Sequence, residues 1–267
     1  MKRFASFLPL IPLLLAGCAP AAYPAPTTGE SRTLTVFAAA SLTDAFTEIG
    51  IRFEAAHPGV KVSFNFAGSQ TLRTQLEEGA AADVFASANH TEMDNAVRAG
   101  LLQEADVHDF VTNELLVILP ADNPAGLVEL KDLARDGVKI VLGTDTVPAG
   151  KYARQLLENM SQDAAFGADF GTQVLANVVS NENDVKQVVV KVQLGEADAG
   201  IVYVSDVSAA PELQVIEIPG ELNVVARYPL AALDKAAYPE LASEFVDYVL
   251  SSEAQNILAT WGFSALQ

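Results

Sequence analysis

The stretch TLTVFAAASLTDA, residues 33–45, decides how the rest of the chain is read. Leu34, Val36 and Ala38 alternate as in a strand, and Leu42, Ala45, Phe46 and Ile49 follow at helical spacing. Ser41 stands at the junction, where a helix N-cap belongs. Such a junction offers unpaired backbone N–H groups, the positive end of a helix dipole and a hydroxyl donor. Anions are held at sites of this kind. Taken alone, ordinary helix capping accounts for it equally well. Its weight comes from repetition further along.

Downstream, short apolar runs alternate with amphipathic ones. Residues 44–56 read as a helix stopped by His57-Pro58-Gly59, and residues 60–66 (VKVSFNF) as a strand. A helix at 70–78, a short buried strand at 83–86 (DVFA) and a helix at 91–99 follow, then a strand at 114–119 (ELLVIL) halted by Pro120. Beyond it come a helix near 129–135, a strand at 138–142 and a helix at 149–160. A weakly patterned, mostly helical stretch at 167–179 precedes a helix at 184–193 and strands at 199–204 and 213–218. The chain returns near 223–230 and closes with two helices from Pro239. This alternation predicts an α/β fold of mainly parallel sheets flanked by helices. With 267 residues, half of them apolar, two lobes are expected. The division runs 32–115 plus 226–267 for the first and 116–225 for the second, with hinge strands near 114–119 and 224–228.

Four further junctions repeat the first. Ala67-Gly68-Ser69 follows a strand and opens a helix, with the backbone at Gly68 freely approachable. In Thr146-Val147-Pro148-Ala149-Gly150, the proline suits a first helical position and leaves the Ala149 N–H directed outward. Val185 lies in the first turn of a helix opened by Asn183-Asp184. Tyr203 ends the strand AGIVY and can offer a phenolic O–H at the carboxyl edge, where open α/β sheets place ligands.

Lys2-Arg3, the apolar residues 4–15 and the sequence LAGC ending at Cys18 read as an export signal over 1–17. It is too short and too broken by Pro9 and Pro12 to span a membrane. LAGC resembles a bacterial lipobox, which implies lipid on Cys18, with residues 18–31 a flexible tether. The chain is thus expected to be exported and lipid-anchored, facing the periplasm or cell exterior. Cys18 is the sole cysteine, which excludes an internal disulfide and a cysteine metal site. The formal charge of −18 argues against nucleic acid as a partner and requires any anion site to rely on local donors.

Six motifs now stand in order: AAASL with Ser41, FAGS with Ser69, ADVFASA (82–88), VPAGKYA (147–153), ENDV (182–185) and GIVYVSDV (200–207). Together they resemble the molybdate-binding proteins of bacterial ABC transporters, over residues 34–262. The resemblance implies a two-lobed, periplasmic-binding-protein-like fold of type II, a monomer without enzyme activity or cofactor. It implies a molybdate or tungstate oxyanion in the interlobe cleft, delivered to a membrane permease. The implied donors are the hydroxyls of Ser41, Ser69 and Tyr203 and the N–H groups of Ser41, Ser69, Ala149 and Val185, with no direct protein–metal bond. Archaeal-type tungstate and molybdate binders add carboxylates, and Asp145 and Glu182 lie close enough in sequence to raise that option. An uncompensated carboxylate facing a dianion would be repelled.

Two alternatives remain. A serine hydrolase needs a base beside Ser41 or Ser69. The histidines are His57 in a helix-ending turn, His90 as a helix cap and His108 in an acidic surface loop, and no G-x-S-x-G elbow occurs. Within the same fold the cargo could be sulfate, phosphate or a ferric complex, the last disfavoured because Tyr203 stands alone among the site motifs.

Overall fold

In the computed structural model, which describes residues 32–266, Leu34, Val36 and Ala38 are fully buried in β1 (Arg32–Ala39). The export signal, Cys18 and the tether lie outside the described residues. α1 (Thr43–Ala56) turns Ala45, Phe46, Ile49 and Phe53 inward. Phe46 and Phe53 meet Phe245 edge-on, at 6.2 and 5.2 Å between ring centroids. Each buried phenyl contributes roughly 1.5–3 kcal/mol, so this cluster fixes α1 on its sheet.

β2 (Val60–Ala67), α2 (Ser69–Glu77), β3 (Val84–Ala86), α3 (His90–Arg98) and β4 (His108–Asn113) follow. Next come β5 (Leu115–Leu119), β6 (Ile140–Gly143), α4 (Pro148–Gln162), α5 (Phe170–Ala176) and β7 (Val178–Glu182). α6 (Val185–Gln193), β8 (Ala199–Tyr203), α7 (Val204–Ser208) and β9 (Gln214–Ile216) lead to β10 (Ala226–Ala232), α8 (Pro239–Leu250) and α9 (Ser252–Thr260). The strands form two five-stranded sheets, ordered β2-β1-β3-β10-β4 and β7-β6-β8-β5-β9. In each, the first three strands are parallel and the fourth runs antiparallel to both neighbours.

That fourth strand is, in both sheets, the one laid down just after the chain changes sheet. β5 follows β4 across Glu114, and β10 follows β9 across residues 217–225. Asn223 ties the two crossings together: its side chain accepts from the Leu115 N–H at 3.1 Å and donates to the Leu115 carbonyl at 2.9 Å.

Three local expectations give way. Residues 129–135 form only a 3-10 turn, Leu130–Ala134, because the Asp132 carboxylate bonds back to the Val128 and Glu129 N–H groups and the chain extends at Arg135. The end of the 167–179 stretch is the strand β7, not helix. It is an edge strand whose alternate residues face outward, so VVSNE carries no continuous buried run. His108 begins β4 instead of lying in a loop. Among the described residues no helix is long and apolar enough to cross a membrane.

Candidate functional site

The carboxyl ends of the parallel strands of both sheets meet at one small, nearly closed cleft. Ala40, Ser41, Gly68 and Ser69 line one side, and Pro148, Ala149, Val185 and Tyr203 the other. All five residues singled out in the sequence are therefore brought together, and all five are buried.

Ser41 does not cap a helix. It lies inside a 3-10 turn, Ala40–Leu42, which delays α1 to Thr43 and leaves the serine side chain without a capping bond. Its Oγ instead lies 2.9 Å from the hydroxyl of Tyr228 on β10. Ser69 is the first residue of α2, with Gly68 in the N-cap position. Its Oγ accepts from the Ala88 N–H at 3.0 Å, which leaves its own hydrogen free to donate into the cleft.

On the facing side, Ala149 and Val185 occupy the first turns of α4 and α6, where backbone N–H groups have no intrahelical acceptor. The N-cap Asp184 accepts from Gln187 N–H at 3.0 Å and sets the start of α6. α4 begins hard against the end of β6: a Cβ on Gly150 would stand 2.1 Å from the Thr144 carbonyl oxygen and 2.3 Å from that of Gly143. Arg154 braces the same corner, donating to the Gly143 and Gly150 carbonyls at 2.9 and 2.8 Å and to Asn181 at 2.7 Å.

Tyr203 ends β8 with 1% exposure, and its hydroxyl has no hydrogen-bond partner among the described residues. Leaving such a group unsatisfied costs roughly 1–3 kcal/mol. Burial, chiefly, with the closely packed Tyr228 phenol beside it, holds the Tyr203 phenol well above its usual range, so it remains a neutral donor. Tyr228 is likewise pushed up, chiefly by burial, and stays protonated. The Ser41–Tyr228 bond can run either way, and in the direction in which Tyr228 donates the Ser41 hydrogen is free for another acceptor. Sequence reading missed this role. Tyr228 lies 187 residues from Ser41 within an ordinary-looking strand, and nothing local marks it.

Among the described residues no carboxylate lines the cleft. Asp145 is exposed. Glu182 turns to Lys191 at 2.7 Å and to Ser180; burial opposes its ionisation, but these two bonds prevail and hold its carboxyl below the usual range. Asp206 lies behind Tyr203, whose N–H it accepts at 3.1 Å. Burial pushes Asp206 up to about 6 against the pull of Lys186.

The histidines also stand elsewhere. His57 bonds the Phe53 carbonyl at 2.8 Å, His90 pairs with Asp109 at 2.7 Å, and His108 is exposed. Asn89, not His90, caps α3. No cluster of three or more His, Cys, Asp or Glu suited to a metal ion occurs among the described residues. The arrangement supplies hydrogen-bond donors without a base, suited to holding a small anion and not to activating a serine.

The two sides touch around the cleft. Gln70 donates to the Asn183 carbonyl at 2.9 Å, and a Cβ on Gly68 would stand 2.5 Å from that same oxygen.

The family described as bacterial extracellular solute-binding protein matches residues 34–264. The chain is 42% identical over 246 residues to the molybdate-binding protein ModA of Mycobacterium tuberculosis, covering 92% of this chain and 89% of that one. It is 30% identical to the putative ABC transporter substrate-binding lipoprotein YvgL of Bacillus subtilis, with 99% of each chain covered. Among solved structures, the substrate-binding domain of a putative molybdenum ABC transporter from Clostridium difficile superposes with a TM-score of 0.66 at 31% identity. That superposition covers 89% of this chain and 100% of the other.

Proposed function

We propose that this chain, a member of the bacterial extracellular solute-binding proteins in the ModA-like group, captures molybdate, and tungstate as a second cargo, for a membrane permease of an ABC importer. The observation that carries this reading is the buried, unpartnered Tyr203 hydroxyl lining the same cleft as the Ser41 and Ser69 hydroxyls, the Ser69 oxygen being already engaged by the Ala88 N–H. Together with the helix-start N–H groups of Ser41, Ser69, Ala149 and Val185, they form a set of neutral donors converging on one small space. A fully deprotonated tetrahedral oxyanion satisfies all of them. Protonated phosphate brings an O–H that meets no acceptor, and sulfate is smaller, so its bonds to the same donors are stretched. A ferric ion would call on phenolates, whereas Tyr203 stays protonated.

Capture proceeds by closure. The lobes, taken as 32–115 plus 226–267 and 116–225, each hold part of the donor set, so the anion is fully bonded only when they shut. Its preference for the shut form drives the motion about the two crossings tied by Asn223. Lipid on Cys18 keeps the protein near its permease.

Thermal unfolding with molybdate, tungstate, sulfate, phosphate and no ligand tests the cargo. At a hundredfold excess over Kd a ligand stabilises the folded state by about 2.7 kcal/mol, a shift of roughly 5–10 °C at this size. Shifts with molybdate and tungstate and little with the others support the reading. A larger shift with sulfate or phosphate replaces the cargo, and no shift with any anion removes the site.

A further inference from the structure

Lys186 follows Val185 in the first turn of α6, beside the cleft, yet it does not line it. Its ammonium is engaged on both sides by carboxylates. Asp44 Oδ2, in the first turn of α1, lies at 2.7 Å, and Asp206 Oδ1, in the same lobe as Lys186, at 3.5 Å. Among the described ion pairs, Lys186–Asp44 is the one that joins an element of the first sheet to an element of the second. Its three members are neighbours of site residues: Asp44 stands three residues after Ser41, Lys186 one after Val185, and Asp206 holds the Tyr203 N–H. Burial would lower the Lys186 pKa, but the two carboxylates outweigh it and keep the group charged. Two carboxylates to one ammonium leave the cluster with no net positive charge, so attracting a dianion is not its use.

We propose that Lys186 is a positioning residue that latches the cleft, pairing with Asp44 only when the lobes are shut and with Asp206 alone when they part. In the shut form the pair fixes the first turn of α6, and with it the Val185 N–H, against the first lobe. In the open form Asp206 keeps the ammonium from being stranded, so opening is not blocked. Ligand dissociation, which requires opening, is the step the latch controls. The inference rests on the oxyanion reading for its ligand, but the lobe-to-lobe bond can also be read without one.

The test compares molybdate dissociation rates, and the ligand-free radius of gyration by small-angle scattering, for wild type, Lys186→Met, Asp44→Asn, the double variant and Lys186→Arg. Asp44→Asn leaves the Lys186–Asp206 pair intact and so guards against a variant that merely fails to fold. The latch predicts about tenfold faster dissociation in either single variant, no further gain in the double, and a rate within threefold of wild type for Lys186→Arg. Single variants within twofold of wild type, or effects that multiply in the double, overturn it. If no molybdate binds at all, the oxyanion reading falls, and scattering alone decides. The pair also holds a share of the ligand-free molecules shut, so expansion of both single variants relative to wild type supports the latch, and identical radii overturn it.

Discussion

The two walls of the cleft are made of different materials. The first lobe presents side-chain hydroxyls, Ser41 and Ser69, each aligned by a second protein group, Tyr228 or the Ala88 N–H. The second presents mostly apolar residues, Pro148, Ala149 and Val185, whose usable polarity is in the backbone, with the Tyr203 phenol as the exception. One wall is therefore open to removal by substitution, while the other is protected because every residue type except proline carries the same N–H. Its vulnerability lies in where the helices start, as the close approach at Gly150 illustrates.

Truncating both hydroxyls of the first wall should have the largest effect. Each removes a charge-assisted hydrogen bond worth about 1.5–3 kcal/mol, or one to two decades of affinity, and the two together fall short of the sum because they share one anion. Calorimetric titration of the Ser41→Ala/Ser69→Ala variant with molybdate measures this, and an affinity within threefold of wild type breaks the contrast between the walls.

Behind the second wall, Asp206 provides a stability effect of roughly 3 kcal/mol. Its folded pKa of about 6 lies above the usual carboxylate value, so the fold favours the neutral form. This contribution is fully present only below the ordinary value of 3.8 and is lost progressively as pH rises from there through about 6, with part of the loss still to come above pH 5. Urea unfolding at pH 5 and pH 8 should show a wild type weakened at the higher pH and an Asp206→Asn variant with a flatter profile. Equal pH dependence in the two proteins would assign the effect elsewhere.

Tyr203→Phe comes next, with two readings of opposite sign. Molybdate affinity should fall by about a decade, while the ligand-free protein gains about 1 kcal/mol because an unsatisfied buried hydroxyl is gone. Loss of both together would make Tyr203 a packing residue only. The smallest effect belongs to Val185→Ala. Its side chain is core, so stability drops, yet the N–H remains and molybdate affinity should stay within threefold of wild type. A tenfold loss would mean that the valine side chain, not its amide, matters to the ligand.

The five residues that meet in the cleft are legible in the sequence because each lies at a strand-to-helix or strand-end junction, and such junctions are written locally. Ser41 was found for a partly mistaken reason: its position is as read, but the 3-10 turn frees it from capping. Tyr228 and Lys186 were not legible. Their parts depend on contacts spanning 187 and 142 residues, which no local period encodes. β7 escaped for another reason, since an edge strand with one face in solvent lacks the buried alternation that identifies its neighbours.

The most direct test is a crystal structure of the molybdate-soaked protein with the metal located by anomalous scattering. A single molybdenum peak is expected in the cleft, its oxygens within hydrogen-bond distance of the Ser41, Ser69 and Tyr203 hydroxyls and of the Ala149 and Val185 amides, with no carboxylate in contact. A peak outside the cleft, or one bonded to Glu182 or Asp145, would contradict it.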